Sequence, residues 1–240
     1  MKTLLAISTL NQIDYTRKCM KSIPKIDNLE VLFIDDCSKD DTISTFKEDG
    51  WNYVTKTKGL GLTHSWNIAY RRFKLSYDKL IISNNDVIFN EPSLISLINN
   101  LDNHTLCCPM SSKKGAGHNA DMQDIARYYP EFGPQSYEES GHKEFISRLH
   151  RHDVVKMGRF NGFCFGVNRD IIASEYDNEH LFNKKKINTG QEGDLETRLK
   201  QKPVVCLDSF IFHFKAITVK CPTRIQGKDS RDILERFHQS

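Results

Sequence analysis

Along its first half the chain alternates between short continuous apolar runs and segments whose apolar residues return every three or four positions. The run at 4–8 reads as a strand buried on both faces, and the run at 31–34 as the second strand. Between them a helix is predicted over 15–23, capped by Asp14, with Cys19 and Ile23 on one face. A second helix over 42–48 turns Ile43 and Phe46 inward and stops near Gly50. A weaker strand follows at 51–55. The segment 62–73 carries Trp66, Ala69, Tyr70 and Phe73 on one helical stripe. A fourth strand at 80–82 precedes a helix that starts near Pro92 and carries Leu94, Leu97, Ile98 and Leu101. A fifth strand is expected at 105–108.

The second half is less regular. Residues 111–140 are rich in Gly, Ser, Pro and polar side chains and are expected to form long loops. Phe145, Ile146 and Leu149 suggest a short helix. Strands are expected at 163–167, 204–207 and 210–214, with short helices at 171–175 and 195–200. The segment 183–190, with Lys184, Lys185 and Lys186, reads as a mobile loop, and 229–238 as a terminal amphipathic helix. No repeat, low-complexity tract or linker breaks the chain, so one domain is expected.

Strands and helices that alternate through short links imply an α/β fold: a Rossmann-like, mostly parallel central sheet with helices on both faces. Ligands of such sheets gather at the C-terminal strand ends. Here those ends carry Thr9-Leu10-Asn11, Asp35-Asp36-Cys37-Ser38 and Ser83-Asn84-Asn85-Asp86, three polar clusters.

Composition narrows the function classes. The 240 residues are 38% hydrophobic and 27% charged, as in ordinary globular chains. Lys and Arg number 34 against 31 Asp and Glu, a net charge of +3, which argues against a nucleic-acid partner and against charge-driven disorder. No apolar run approaches the roughly 20 residues of a transmembrane segment. The apolar stretch 4–7 is too short for the core of a signal peptide. The expectation is a cytoplasmic protein, soluble or peripherally membrane-associated. Seven cysteines without any Cys-x-x-Cys spacing read as reduced core residues rather than a zinc site.

Five motifs carry chemistry. Asp35 and Asp36 end a buried strand, where carboxylates can accept hydrogen bonds from a nucleobase or ribose. Capping of the next helix explains Ser38, Asp40 or Asp41 but leaves Asp35 and Asp36 unexplained. Lys58-Gly59-Leu60-Gly61 leads into a helix carrying His64 and Asn67, an arrangement that favours phosphate at the helix N-terminus. It lacks the closing Gly-Lys-Ser/Thr of a P-loop and the third glycine of a dinucleotide fingerprint. Asp86 at a strand end can hold Mn²⁺ or Mg²⁺ on diphosphate oxygens. Glu192 and Asp194 open a helix, where either carboxylate can deprotonate an acceptor hydroxyl. Arg198 is placed to pair with Asp194. His213, among aromatic residues, is a candidate partner of Asp86 in the metal site.

In order and spacing these motifs resemble the inverting family-two glycosyltransferases, which have the GT-A fold. Thr9-Leu10-Asn11 matches the turn after the family's first strand. Asp35, Asp36, Ser38, Asp41 and Thr42 match its Asp-Asp-x-Ser-x-Asp-x-Thr motif with one small shift. Gly61 to Asn67 matches a Gly-to-Asn segment, Asn84-Asn85-Asp86 the Asp-x-Asp metal motif, and Phe160-Asn161-Gly162 a Phe-x-Gly stretch. Gln191-Glu192-Gly193-Asp194-Leu195 with Arg198 matches the family's acidic helix motif. The resemblance covers residues 3–215 and is nearest the rhamnosyltransferase-like branch, which also has Asn at the position of Asn84.

The resemblance implies transfer of a sugar, with inversion, from a UDP- or dTDP-linked donor to a hydroxyl of a glycan or glycoconjugate acceptor. It implies nucleotide-sugar binding by Thr9, Asn11, Asp35, Asp36, Ser38, Gly61, Asn67, Asn84 and Asn85. A Mn²⁺ or Mg²⁺ cofactor would sit at Asp86 and His213. Glu192 falls on the general-base position, with Asp194 as the second candidate. The chain then divides into a nucleotide-binding half (1–110), an acceptor and catalytic half (111–215) and a tail (216–240), with Lys184 to Lys186 placed to close over the phosphates. The competing readings are a sugar-1-phosphate nucleotidyltransferase and a non-catalytic nucleotide-sugar-binding module. The first usually has a glycine-rich turn after its first strand, where this chain has Ser8-Thr9-Leu10-Asn11. The second does not need both a metal acid and a positioned base.

Overall fold

A computed structural model describes residues 1–112, 121–132 and 139–214. The expected alternation is present. β1 (Thr3–Thr9), α1 (Ile13–Ser22), β2 (Leu29–Asp35), α2 (Thr42–Glu48), β3 (Tyr53–Thr55), α3 (Leu62–Ser76) and β4 (Lys79–Asn84) follow in order. Then come β5 (Val87–Ile88), α4 (Glu91–Asn100), β6 (Leu106–Met110), α5 (Glu139–Arg148), β7 (Val154–Lys156), β8 (Cys164–Asn168), α6 (Gln191–Glu196), β9 (Val204–Phe210) and β10 (Phe212–His213).

The main sheet has eight strands in the order β3-β2-β1-β4-β8-β6-β9-β7. β1 pairs in parallel with β2 and β4, β2 with β3, and β6 with β9. β8 and β7 run against their neighbours. Register sets Thr9 opposite Asp35 and Ser8 opposite Asn84, so the polar ends of β1, β2 and β4 share one edge. β8 runs the other way, and its first pair sets Cys164 opposite Ser83. The turn that enters β8 therefore lands on that same edge.

Strand residues alternate between two cores, as the period of two requires. Leu5, Ile7, Phe33 and Ile81 pack with Cys19 and Met20 of α1, Phe46 of α2, and Leu94 and Leu97 of α4. Leu4, Ala6, Ile34, Leu80 and Ile82 pack with Trp66, Ala69, Tyr70 and Phe73 of α3 on the other face. Phe33 stacks on Phe46 with centroids 4.5 Å apart, and Trp66 meets Phe165 edge-on at 5.3 Å. Such pairs add to the burial of their area.

Several expectations are corrected. The N-cap of α1 is Gln12, not Asp14; it sits in the left-handed region at φ 63°, and Asp14 lies in the first turn. The open Ile13 amide is taken by Asp40 Oδ2 at 3.0 Å from the neighbouring loop. The helix expected at 195–200 begins four residues earlier, at Gln191, behind a left-handed Gly190. The helix at 171–175 is a 3₁₀ turn over Arg169–Ser174. Residues 111–140 hold two further 3₁₀ turns, Asp121–Gln123 and Ile125–Arg127. β5 and β7 were not expected; strands of two and three residues are too short to show a period. The helix expected at 229–238 lies outside the described residues. Cys19, Cys107, Cys108, Cys164 and Cys206 are buried and free, and Cys37 is free and partly exposed. Among the described residues no helix is long and apolar enough to cross a membrane.

Candidate active site

The polar edge of the sheet divides into two regions. The first lies around the ends of β1 and β2. The loops 9–12 and 35–40 are laced together: Asn11 donates its amide to Ser38 Oγ at 2.7 Å, and Asn11 Oδ1 accepts from the Lys39 amide at 2.7 Å. Asn11 (φ 52°) and Cys37 (φ 65°) take left-handed backbone to make these turns. Asp35 is fully buried; its Oδ2 accepts from the Ser38 amide at 3.0 Å and from Thr55 Oγ1 at 2.9 Å. Thr9 Oγ1 lies 3.5 Å from Asp35 Oδ1.

Asp36 is committed still more completely. Its two oxygens accept from the amides of Leu60 (2.8 Å) and Gly61 (2.9 Å), and Lys56 Nζ lies 2.7 Å from Oδ1. Lys56 is itself buried and donates to Gly61 O at 3.0 Å and Ser65 Oγ at 2.8 Å. Burial pushes its ammonium below the ordinary lysine range, while Asp36 pulls it back up. The adjacent carboxylates thus have protein partners, and a ligand is not needed to account for them.

The glycine turn does not offer a phosphate cradle. The first amides of α3 are already taken: Leu62 donates to Asn188 Oδ1 at 3.0 Å, and Thr63 donates to Ile187 O at 3.0 Å. Thr63 Oγ1 also bonds Lys186 O. Gly61 sits at φ 81°, and a Cβ there would come within 2.4 Å of Ile187 Cγ2. This is a position only glycine fills without strain. The 183–190 segment, expected as a mobile flap, is fastened to α3 through its backbone; Lys184, Lys185 and Lys186 keep exposed side chains. Asn67 is also spent on packing. Its amide group donates to Phe182 O at 2.9 Å and accepts from the Phe182 amide at 3.0 Å.

The second region lies around the end of β4. Asn85 turns inward and donates to Thr16 Oγ1 at 2.8 Å. Asn84 stays partly exposed, with its amide on Phe163 O at 2.8 Å. Asp86 is buried, and its Oδ1 makes no hydrogen bond. His213 Nε2 lies 3.3 Å from that oxygen, close enough for an ion pair. The pairing of β5 with β10 brings these two together: His213 sits opposite Val87, and the Phe214 amide bonds Asp86 O at 2.9 Å. The ring of Phe163 stacks on His213 at 4.8 Å and 9°.

These residues fit a divalent cation. A buried carboxylate oxygen without a donor, beside an imidazole nitrogen, is an N/O set that Mn²⁺ accepts. Two protein ligands leave most positions to ligand oxygens. Among the described residues no group of three His, Cys, Asp or Glu assembles, so the protein alone does not form a closed cage.

Next to Phe163 in sequence, Gly162 donates its amide to the Glu192 carboxylate. A Cβ at Gly162 would come 2.4 Å from the Trp66 ring and 2.7 Å from Glu192 Oε1, so the residue must stay bare. Burial raises Glu192 above the ordinary glutamate range, with a smaller push from Glu196 and an opposing pull from backbone donors. Asp194, the other candidate base, is bound to Arg198 at 2.9 Å and approached by Asn183 Nδ2 at 3.4 Å. The expected helical ion pair is present, and it anchors the helix: Arg198 also donates to the carbonyls of Leu181, at 2.9 Å, and Ser174. The turn 160–163 thus stands between the Asp86–His213 pair and Glu192. Sequence reasoning missed Phe163, Trp66, Lys56 and Glu196. Only Glu196 left a signal, as a like charge four residues after Glu192.

A family model for glycosyl transferase family 2 matches residues 5–172. The chain belongs to that family. No curated protein matches it by sequence. Its fold is similar to that of GalNAc-T7, solved with UDP, GalNAc and Mn²⁺: TM-score 0.61, 11% identity, over 89% of this chain and 44% of that one. It is similar to mannosyltransferase PcManGT from Pyrobaculum calidifontis, solved with GDP-Man and Mn²⁺: TM-score 0.61, 14% identity, over 88% and 56%. It is also similar to S. aureus TarS 1–349 in complex with UDP-GlcNAc: TM-score 0.54, 16% identity, over 88% and 58%. The chain spans about half the length of these proteins, and at such identity the likeness speaks for the GT-A fold.

Proposed function

We propose that the chain is an inverting glycosyltransferase that moves a sugar from a nucleoside-diphosphate donor, UDP- or dTDP-linked, to a hydroxyl of a glycan acceptor. The observation that carries this reading is Glu192: a partly buried carboxylate, raised in basicity and held by the Gly162 amide, one residue from the Phe163 ring that stacks on His213 of the Asp86–His213 pair. A general base is most effective when its pKa is moved toward the working pH. The family membership and the nucleotide and Mn²⁺ complexes of the similar structures support the donor class.

In this reading Asp86 and His213 would hold a divalent ion, which would supply charge neutralisation for the diphosphate. Asn84 and the 9–11 and 35–38 loops line the donor side. Asp36, Gly61, Asn67 and Asn85 shape that side through the protein contacts described above. Glu192 takes the proton from the acceptor hydroxyl as its oxygen bonds to the anomeric carbon. The bond from that carbon to the diphosphate breaks on the opposite face, and the nucleoside diphosphate leaves with the electron pair. Asp194 keeps α6 in place through Arg198.

Titration calorimetry with UDP, dTDP and GDP, with and without Mn²⁺, tests the donor site, and nucleotide release from the matching sugar donor tests turnover. Mn²⁺-dependent binding of one nucleotide, with release that Glu192→Gln abolishes, is the expected result. Absence of binding to all three by the folded protein would overturn the reading.

A further inference from the structure

Each amide of the turn that separates the candidate metal pair from the candidate base has an assigned acceptor. Phe160 donates to Glu196 Oε1 at 2.8 Å, Asn161 to Gln123 Oε1 at 2.7 Å, and Phe163 to Asn161 Oδ1 at 3.2 Å. Gly162 donates to Glu192. Two of the four acceptors are carboxylates one helical turn apart on α6. Gln123 is buried and extends the clamp to β6, where its Nε2 donates to Pro109 O at 3.1 Å.

α6 has six residues, too few to be stable by its own backbone bonds. Like charges at i and i+4 cost a helix a few tenths of a kcal/mol. Here each carboxylate is offset by an amide of the same turn. Glu192 is tied to the turn by the Gly162 amide, and a side chain at Gly162 would run into both Glu192 Oε1 and the Trp66 ring. The other end of the turn is fixed by Glu196.

We propose that Glu196 is a positioning residue for Glu192: it pins the 160–163 turn to α6 and places a second negative charge beside the base. The inference rests on the reading of Glu192 as the base. The groups that face Glu192 are few. The turn offers the Gly162 backbone donor, and Glu196 is the charged neighbour that acts on it. Glu196 in turn faces Arg159 and the Phe160 amide, both of which favour its ionised form against its own burial. A negative neighbour makes Glu192 a stronger base.

The test uses the full chain labelled with ¹³C-glutamate, with the Glu192 carboxyl resonance assigned by Glu192→Gln. Glu196→Gln keeps an acceptor for the Phe160 amide and removes the charge. It should move the Glu192 titration to lower pH and leave exchange of the Phe160 amide slow. Glu196→Ala should speed that exchange at least about tenfold and lower kcat for nucleotide release roughly 10- to 100-fold. Affinity for UDP or dTDP with Mn²⁺, whichever the wild type binds, should stay unchanged. Glu196→Gln should recover most of kcat, with the acid limb of its pH profile displaced to lower pH. An unmoved Glu192 titration in Glu196→Gln, wild-type kcat in Glu196→Ala, or nucleotide affinity that falls in step with kcat would overturn the proposal. The titration needs no turnover, so full activity in Glu192→Gln would sink the base reading separately.

Discussion

The two halves of the polar edge carry similar residues and treat them differently. At the ends of β1 and β2, Asp35 and Asp36 have backbone amides, a hydroxyl and the Lys56 ammonium as partners. At the end of β4, Asp86 keeps a buried oxygen without a hydrogen bond, and Glu192 is held in its ionised form only by backbone donors against burial. A carboxylate with a full set of partners builds a loop. One that the fold leaves under-satisfied has its stability cost offset by something that binds or reacts there. Variants should therefore separate: the first region should answer in stability, the second in binding and turnover.

The largest expected effect is in the second region. Glu192→Gln should lower nucleotide release by roughly 10²- to 10⁴-fold while leaving Mn²⁺-dependent nucleotide binding intact. In the wild type the sign follows from the raised carboxyl. Turnover should be full above its displaced value and lost as pH falls through it, at higher pH than an ordinary glutamate would give. The same displacement means that the ionised form is penalised by folding. Glu192→Gln should then be at least as stable as wild type near neutral pH in urea unfolding. A variant both inactive and strongly destabilised would break the distinction between the two regions.

Next is the metal pair. Asp86→Ala and His213→Ala should each weaken Mn²⁺-dependent binding of UDP or dTDP by at least about tenfold, with little change in the metal-free baseline. Calorimetry with and without Mn²⁺ reads both quantities. Equal loss in the presence and absence of the ion would show that the pair shapes the pocket rather than holding a cation.

Asp36→Ala should act in the opposite way. It leaves a buried Lys56 ammonium without its counter-charge and strips the Leu60 and Gly61 amides of their acceptor. Breaking a buried pair from one side costs about 3–5 kcal/mol. Urea unfolding should show that loss, and any fall in turnover should follow the unfolded fraction. If Asp36→Ala instead leaves stability intact and abolishes nucleotide binding, the Asp36 carboxylate itself serves the ligand rather than the loop.

The sequence made the sheet, its order of elements and most of the helices legible, because buried parallel strands and amphipathic helices leave strong periodic signals. It also pointed to Asp86, in the polar turn that follows an apolar strand, and to His213, which closes a short aromatic strand. It did not show how polar side chains are spent. Asp36 looked like a ligand-binding acid because its counter-ion, Lys56, stands twenty residues away in an unremarkable run. The glycine turn looked like a phosphate cradle because the acceptors of the α3 amides that follow it, Ile187 O and Asn188 Oδ1, lie more than a hundred residues downstream. Periodicity records which face is buried and is silent about which distant donor meets which acceptor.

His64 supplies the finest test, because it breaks the simple form of the comparison. It lies near the closed region, yet its Nδ1 is buried without a partner. The physical reason is electrostatic. Burial, Lys56, Arg71 and His180 all disfavour its charged form, Asp36 alone opposes them, and its pKa is pushed down to about 4. A neutral imidazole leaves one nitrogen without a proton, and that nitrogen can remain unpaired at modest cost where a cation could not. The unfolded chain binds a proton at His64 near the ordinary value of 6.5, whereas the folded chain waits until about 4. Stability contributed by His64 is thus present above about 6.5 and lost as pH falls toward about 4. His64 is partly exposed, and solvent screening reduces the effect to about 1 kcal/mol. Urea unfolding at the two ends of that window, in wild type and His64→Gln, should show a shallower fall in the variant by that amount, with nucleotide binding unchanged. An equal pH dependence in both proteins would mean that a hydrogen-bond acceptor or a bound anion holds the protonated ring of His64 in solution, and an unpaired atom in the closed region would then carry the same meaning as Asp86 does in the open one.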